Sequence, residues 1–462
     1  MSLAERVRVS PRFQRAIRID TDLDDPRALE GFICPPSAAE VLLAMGRHVA
    51  QTGQSAFTWT GPYGSGKSSL VVALNAVLNG DLRRRARAAE IVGKKSVASL
   101  WKLLPPQSKG WRMLPVVGRR AGPVEIIGNA LVAAGLYRKP RVPWSEMKLL
   151  EALSEVAADQ PKSRGGLIVV VDEMGKFLEG AAAEGADIFF FQQVAELASR
   201  SGGRLIFVGI LHQAFEEYAH RLSRDQREEW SKVQGRFVDL LVDTAQDEQL
   251  QLLARAIQSD GLRRGSQEAI AAVADCIAPL RGGDATKVAN VLDRCRPLHP
   301  IVAALLGPMS RRRFGQNQRS VFGFLNSAEP HGFQEFLRNA GEGETYDAPR
   351  LWDYLRSNLE PSILASPDGH RWSTAVEVVE RCEAAQSERI QVDLLKTVAL
   401  IDLFRERSGL MPTPAVLERC LASVSSEEVR SALATLGDRS LVVYRKHLKA
   451  YAVYAGKRFQ HR

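Results

Sequence analysis

Between Ala56 and Val242 the chain alternates short, β-prone apolar runs with stretches whose apolar residues recur at helical spacing. The runs are Ala56–Thr60, Met113–Val117, Leu167–Val171, Leu205–Ile210 and Phe237–Val242. The helical patterns between them include Leu70–Leu78, Val124–Ala134 and Phe189–Ser199. Strands alternating with helices predict a parallel sheet. After Thr244 the strand signal fades and amphipathic helices are predicted at Glu248–Gln258, Gln267–Ile277, Thr286–Cys295, Ile301–Leu306 and Arg319–Leu325, with a further helical stretch from Trp352 to about Arg407. The last segment changes character. Val416–Cys420 and Glu427–Leu436 read as helices, Leu441–Arg445 and Ala450–Tyr454 as a hairpin, and that order suggests a winged helix-turn-helix. The expected division is a core over residues 1–245 with an N-terminal extension, a helical lid over 246–345, and a helical linker with a winged helix over 346–462.

The composition of the 462 residues, 45% hydrophobic and 25% charged, is that of a folding globular chain and excludes wholesale disorder or a collagen-like architecture. The strongly apolar stretches, such as Leu167–Val171, are far short of the ~18–20 residues of a membrane span, and no apolar run follows Met1. A soluble, cytoplasmic protein is expected. Cys34, Cys276, Cys295, Cys382 and Cys420 are scattered without paired spacing, so neither disulfides nor structural zinc are expected. The net charge of +9 suits polyanionic partners and equally a solvated basic surface.

Chemistry enters at Gly61-Pro62-Tyr63-Gly64-Ser65-Gly66-Lys67-Ser68-Ser69. This is a complete G-x-x-x-x-G-K-[ST] pattern with a predicted strand before it and a helix after it. Gly61, Gly64 and Gly66 let backbone amides approach a β-phosphate, Lys67 would lie between the β- and γ-phosphates, and the Ser68 hydroxyl would ligate Mg²⁺. Leu167–Val171 then ends in Asp172-Glu173. Two adjacent carboxylates after a buried strand are costly unless a cation and a water use them, so Asp172 is expected in the Mg²⁺ shell and Glu173 as base toward the attacking water. The strand ending at Ile210 leads into Leu211-His212-Gln213, where Gln213 or His212 suits a contact to the γ-phosphate or the water; capping of the next helix is the competing use. Arg236 precedes the fifth strand at the rim of the sheet, where pairing to Asp239 or Asp243 is its plain alternative.

This order of parts resembles the AAA+ ATPases and their STAND and origin-recognition-like relatives over most of residues 30–330, with the terminal winged helix also typical of that group. The resemblance implies an AAA+/ASCE-type α/β P-loop fold, ATP with Mg²⁺, hydrolysis, and an oligomer in which Arg236 reaches a neighbour's site as a finger. More narrowly, Asp172–Glu179, Trp230–Phe237 and Pro297–Pro300 with Gln316–Ser320 resemble large P-loop ATPases of bacterial anti-phage and DNA-modification-linked systems, which implies protein partners of a multi-component system. Such proteins are often much longer than this chain, so a short member or a truncated form is implied.

Four further features remain. Arg319 or one of Arg311–Arg313 could be a lid arginine, with a solvated basic turn as the alternative, and His299 between prolines reads as structural. The stretch carrying Arg83, Arg84, Arg85, Arg87, Lys94, Lys95, Lys102 and Lys109, with Trp101 and Trp111 interleaved, suits nucleic acid or a solvated face. Arg430 and Arg439, with Arg445, Lys446, His447 and Lys449 at the wing tip, suit double-stranded DNA, although such modules also dock proteins or sense nucleotides. Two functions follow: an ATP-hydrolysing switch or motor acting on DNA or in defence or genome maintenance, and an ATP-gated DNA-binding regulator with negligible turnover. The intact Asp172-Glu173 pair favours the first.

Overall fold

Three of the apolar runs of the N-terminal half, Ala56–Thr60, Leu167–Val171 and Leu205–Ile210, are buried along their whole length, which requires helices on both faces of the sheet they build. The computed structural model describes residues 2–10, 17–25, 27–30, 32, 34–62, 65–159, 161–184, 188–220, 222–243, 246–262, 265–280, 283–310 and 321–454. Its strands are β1 (Val7–Val9), β2 (Ala56–Thr60), β3 (Arg112–Val117), β4 (Leu167–Asp172), β5 (Leu205–Leu211), β6 (Val238–Leu241), β7 (Ile257–Ser259), β8 (Val442–Arg445) and β9 (Ala450–Val453). Residues 15–244 form one compact unit, and residues 1–14 with 245–462 form another.

In the first unit β3, β4, β5, β2 and β6 lie side by side in that order, with every pairing parallel. Alternation sorts their side chains into two cores. Phe57, Trp59, Ile168, Val170, Ile206 and Val208 face one core, shared with the helices Pro36–Arg47, Lys67–Val77, Leu82–Val92 and Lys94–Leu103. Leu114, Val116, Val169, Val171, Leu205 and Phe207 face the other, with Pro123–Ala133, Glu146–Ala158 and Phe189–Arg200. The parallel sheet expected from the alternation is the one observed, with helices on both of its faces.

The second unit is built mainly of helices around one continuous apolar cluster. At its centre the helix Arg389–Ser408 packs against Pro300–Ser310, Ala348–Leu364, Gly369–Ala384, Ser426–Asp438 and β9. Trp352 and Trp372 stack there with ring centroids 4.6 Å apart. The C-terminal order is Arg389–Ser408, Pro414–Leu417, Ser426–Asp438 and then the β8–β9 hairpin, as the helix and strand periods of that segment predict.

One expectation fails here. The helix begun at Gln246 stops at Ala256, and Ile257 and Gln258 belong to β7, which pairs antiparallel with β1. Both strands have three residues, too few for a two-residue period to register, and their pairing spans most of the chain.

Phe207 is fully buried in the middle of β5. Phe207→Ala should lower stability by about 3–5 kcal/mol, read as a lower urea midpoint, whereas Leu82→Ala on the surface should leave it almost unchanged. Equal midpoints for the two variants would contradict the assigned core.

Candidate functional site

The loop between β2 and the helix Lys67–Val77 is shaped by two glycines. Gly66 caps the helix at φ +83°, in the left-handed region that side chains disfavour. A Cβ at Gly61 would lie 2.1 Å from the Val242 carbonyl oxygen, so the loop can sit there only as glycine. The helix therefore starts at Lys67 rather than Leu70, and its first-turn N–H groups, which lack intrahelical partners, open toward the loop. Ser68 and Ser69 lie in that first turn. Tyr63 and Gly64 fall outside the described residues.

Lys67 is buried and folds back over the loop: its ammonium donates to Gly61 O at 2.6 Å, Pro62 O at 2.7 Å and Ser65 Oγ at 3.2 Å. Burial pushes its pKa down to about 8, against the pull of Asp172 and Asp243. From β4, two strands away, Asp172 reaches the same point. The Ser68 hydroxyl donates to Asp172 Oδ2 at 2.8 Å. Burial raises the Asp172 carboxyl, offset by that hydrogen bond and by the Glu173 N–H donating to Oδ1 at 2.9 Å. A hydroxyl and a carboxylate so close form an all-oxygen donor set of the kind that suits Mg²⁺ beside phosphate oxygens. No cluster of three or more His, Cys, Asp or Glu side chains fit for a metal occurs among the described residues.

Glu173 follows with φ +54°, a backbone conformation rare outside glycine. Its carbonyl is pressed against Gly118 at the end of β3, where a Cβ would lie 2.3 Å away, and its carboxylate pairs with Lys176. After β5, the His212 imidazole is held neutral, its pKa lowered to about 3 by burial and then by Lys67 and Lys176. The His212 backbone N–H donates to Tyr218 Oη at 3.4 Å. Gln213 follows in the same bend, partly buried. The two candidates are thus adjacent in space.

Arg236 is half exposed and pairs with Glu196 at 3.6 Å. Asp239 is not its partner: that carboxylate accepts from Thr58 Oγ1 and Thr60 Oγ1, both at 2.6 Å, across the β2–β6 pairing. Arg311, Arg312, Arg313 and Arg319, and the stretch Gln316–Ser320, lie outside the described residues.

The basic stretch is less available to nucleic acid than its sequence suggests. Trp111 is buried with Nε1 donating to Pro105 O, and Trp101 Nε1 donates to Val77 O. Arg85 donates to Asn79 O and lies over the Trp101 ring, Arg84 pairs with Asp24, and Arg87 pairs with Glu30. At the C-terminus Arg430 pairs with Glu418 and Arg439 donates to Ser387 Oγ. The helix Ser426–Asp438 opens with Glu427 and Glu428, while Arg445, Lys446, His447 and Lys449 on the hairpin are exposed. His299 is structural as expected: it is buried, Nε2 lies 3.0 Å from Arg419 O, and Nδ1 accepts from the Ile301 N–H.

Lys176, Gly118 and Phe32 are at the site without having been read from the sequence. Phe32 stands beside Gly66 across a long stretch of chain, and no local pattern announces such proximity. Lys176 carried a signal, since it lies one helical turn beyond Glu173 in Asp172-Glu173-Met174-Gly175-Lys176.

No family model and no curated protein matches the chain. Two solved structures of the Aeropyrum pernix ORC2 protein are similar to it. The one with ADPNP–ADP complexes aligns over 94% of this chain and 95% of its own at 15% identity and TM-score 0.34. The ADP form aligns over 93% and 94% at 16% identity and TM-score 0.35. Superposition this loose transfers no residue role.

The Lys67 environment makes a pH prediction. If the ammonium form is the one that meets phosphate, a pKa near 8 in the free protein means that the competent form is depleted above pH 8. ATP affinity should fall by about tenfold between pH 7 and pH 9. Isothermal titration calorimetry across that range checks it, and a flat profile would contradict the burial of a titrating Lys67.

Proposed function

We propose that the chain binds ATP with Mg²⁺ at the Gly61–Ser69 loop and hydrolyses it, as an AAA+/STAND-like switch or motor that assembles into an oligomer. The observation that carries this reading is the 2.8 Å hydrogen bond from Ser68 to Asp172, which brings the hydroxyl of one motif and the carboxylate of another to a single point. Ser68 and Asp172 would hold Mg²⁺, which supplies neutralising charge to the phosphate oxygens. Lys67 exchanges two neutral carbonyls and a hydroxyl for phosphate oxygens, a stronger, charge-assisted set of partners. The loop amides and the helix N-terminus surround the β-phosphate. Glu173 takes the proton of the attacking water, and His212 or Gln213 contacts the water or the γ-phosphate. Arg236, at the rim, completes a neighbour's site once it leaves Glu196.

The setting we infer is cytoplasmic action on DNA or within a multi-component bacterial defence or genome-maintenance system. Among the described residues no helix is long and apolar enough to cross a membrane. The C-terminal helices and hairpin support a winged-helix reading in which the exposed hairpin cations meet the phosphate backbone. The acidic first turn of Ser426–Asp438 is a poor fit to phosphate.

Glu173→Gln should retain ATP binding and lose turnover by about 100-fold or more, since the amide fits but takes no proton. Turnover within about threefold of wild type would remove Glu173 from the base role. An ATP-gated regulator with negligible turnover would instead show binding without hydrolysis in the wild type.

Arg236→Ala should bind ATP normally and hydrolyse it about 10³-fold more slowly, and mixing it with Lys67→Ala should restore part of the activity. Mixed assemblies contain interfaces with an intact P-loop on one side and an intact arginine on the other. Full activity of Arg236→Ala would leave this arginine as surface charge.

A further inference from the structure

The backbone of Glu173 is fixed from two sides, by its N–H bonded to Asp172 Oδ1 and by its carbonyl packed on Gly118. Its carboxylate is not fixed by either contact, because the side-chain torsions remain free to rotate. Among the described residues its ion-pair partner is Lys176. Arg18 lies within electrostatic reach of Glu173 but grips Asp20 with two hydrogen bonds, at 2.7 and 3.2 Å.

The position of Lys176 is electrostatically unfavourable without an anion. It lies in the first turn of the helix Gly175–Glu184, the end whose dipole repels cations, and its ammonium acts on the same His212 imidazole that Lys67 acts on. An exposed pair of residues three apart is ordinarily worth little and could dissolve without consequence. This one joins a base candidate to a lysine in a place that otherwise disfavours a lysine.

We infer that Lys176 is the positioning residue of Glu173: its ammonium holds the carboxylate in the one orientation from which it can take a proton from water attacking the γ-phosphate. The inference rests on the proposed ATPase reading. Lys176 acts through Glu173 and leaves the binding of ATP to the loop. Losing it frees the carboxylate to rotate, which lowers the chemical step and not the affinity.

The test uses the full chain with Lys176→Ala and Lys176→Arg, measuring kcat and, separately, the Kd of ATP with Mg²⁺. Lys176→Ala should lose kcat by about tenfold or more with Kd within about twofold, and Lys176→Arg should recover to within about threefold of wild type, because it restores a cation at nearly the same reach. In a Glu173→Gln background the alanine change should have no further effect. Several results would overturn the inference. Unchanged kcat in Lys176→Ala makes the pair an idle surface contact, and a raised kcat makes it a restraint on the base. A weakened Kd makes Lys176 a phosphate ligand, and equal losses in both variants with a lowered Tm make it structural. Absence of turnover in an ATP-binding wild type would instead overturn the hydrolytic reading itself, a result distinct from any of these.

Discussion

Ser68 and Asp172 meet because β5 lies between β2 and β4 and all three run parallel in one register. Thr60 at the end of β2 lies opposite Leu211, and Val171, one residue before Asp172, lies opposite Gly209. A slip of one residue in β4 would turn Asp172 and the whole Val169–Val171 face to the opposite side of the sheet. That register is enforced by the two cores: Ile168 and Val170 are buried on one side, and Leu167, Val169 and Val171 on the other. The placement of the carboxylate is thus a property of the packed sheet rather than of the loop that carries it.

The electrostatics of the site follow from that burial. Lys67 and Asp172 are each held where burial disfavours their charged forms, and each is stabilised by the other and by neighbouring dipoles. The Lys67 ammonium is satisfied by the loop's own carbonyls, an arrangement easily exchanged for a better anion. Glu173, by contrast, sits at the mouth, partly exposed, with a strained backbone and a lysine on its carboxylate. On the reading proposed here, binding and chemistry are divided between a buried pair and an exposed one.

Much of this was legible in the sequence, for identifiable reasons. The buried strands announce themselves as unbroken apolar runs because both faces are covered, and the Gly61–Ser69 loop does so because its glycines and Lys67 are close in sequence. The helix after the glycine loop starts at Lys67 rather than the predicted Leu70, because periodicity detects only the apolar face. What could not be read were contacts made across the chain: the three-residue strands β1 and β7, Phe32 beside Gly66, and Glu196 rather than Asp239 as the partner of Arg236. The interleaved tryptophans illustrate the same limit from the other side. Trp101 and Trp111 match a base-stacking pattern in sequence, yet both indole N–H groups are spent on backbone carbonyls of their own fold.

The account depends most on Ser68 and Asp172 together forming the place where a divalent cation meets the nucleotide. Electron paramagnetic resonance of Mn²⁺ with ATP bound to the protein tests this directly. The account predicts a protein-bound Mn²⁺ signal with ³¹P hyperfine coupling in the wild type, and loss of that bound signal in both Ser68→Ala and Asp172→Asn while the fold is retained. Nucleotide-bound Mn²⁺ on the protein with unchanged affinity and spectrum in both variants would contradict it.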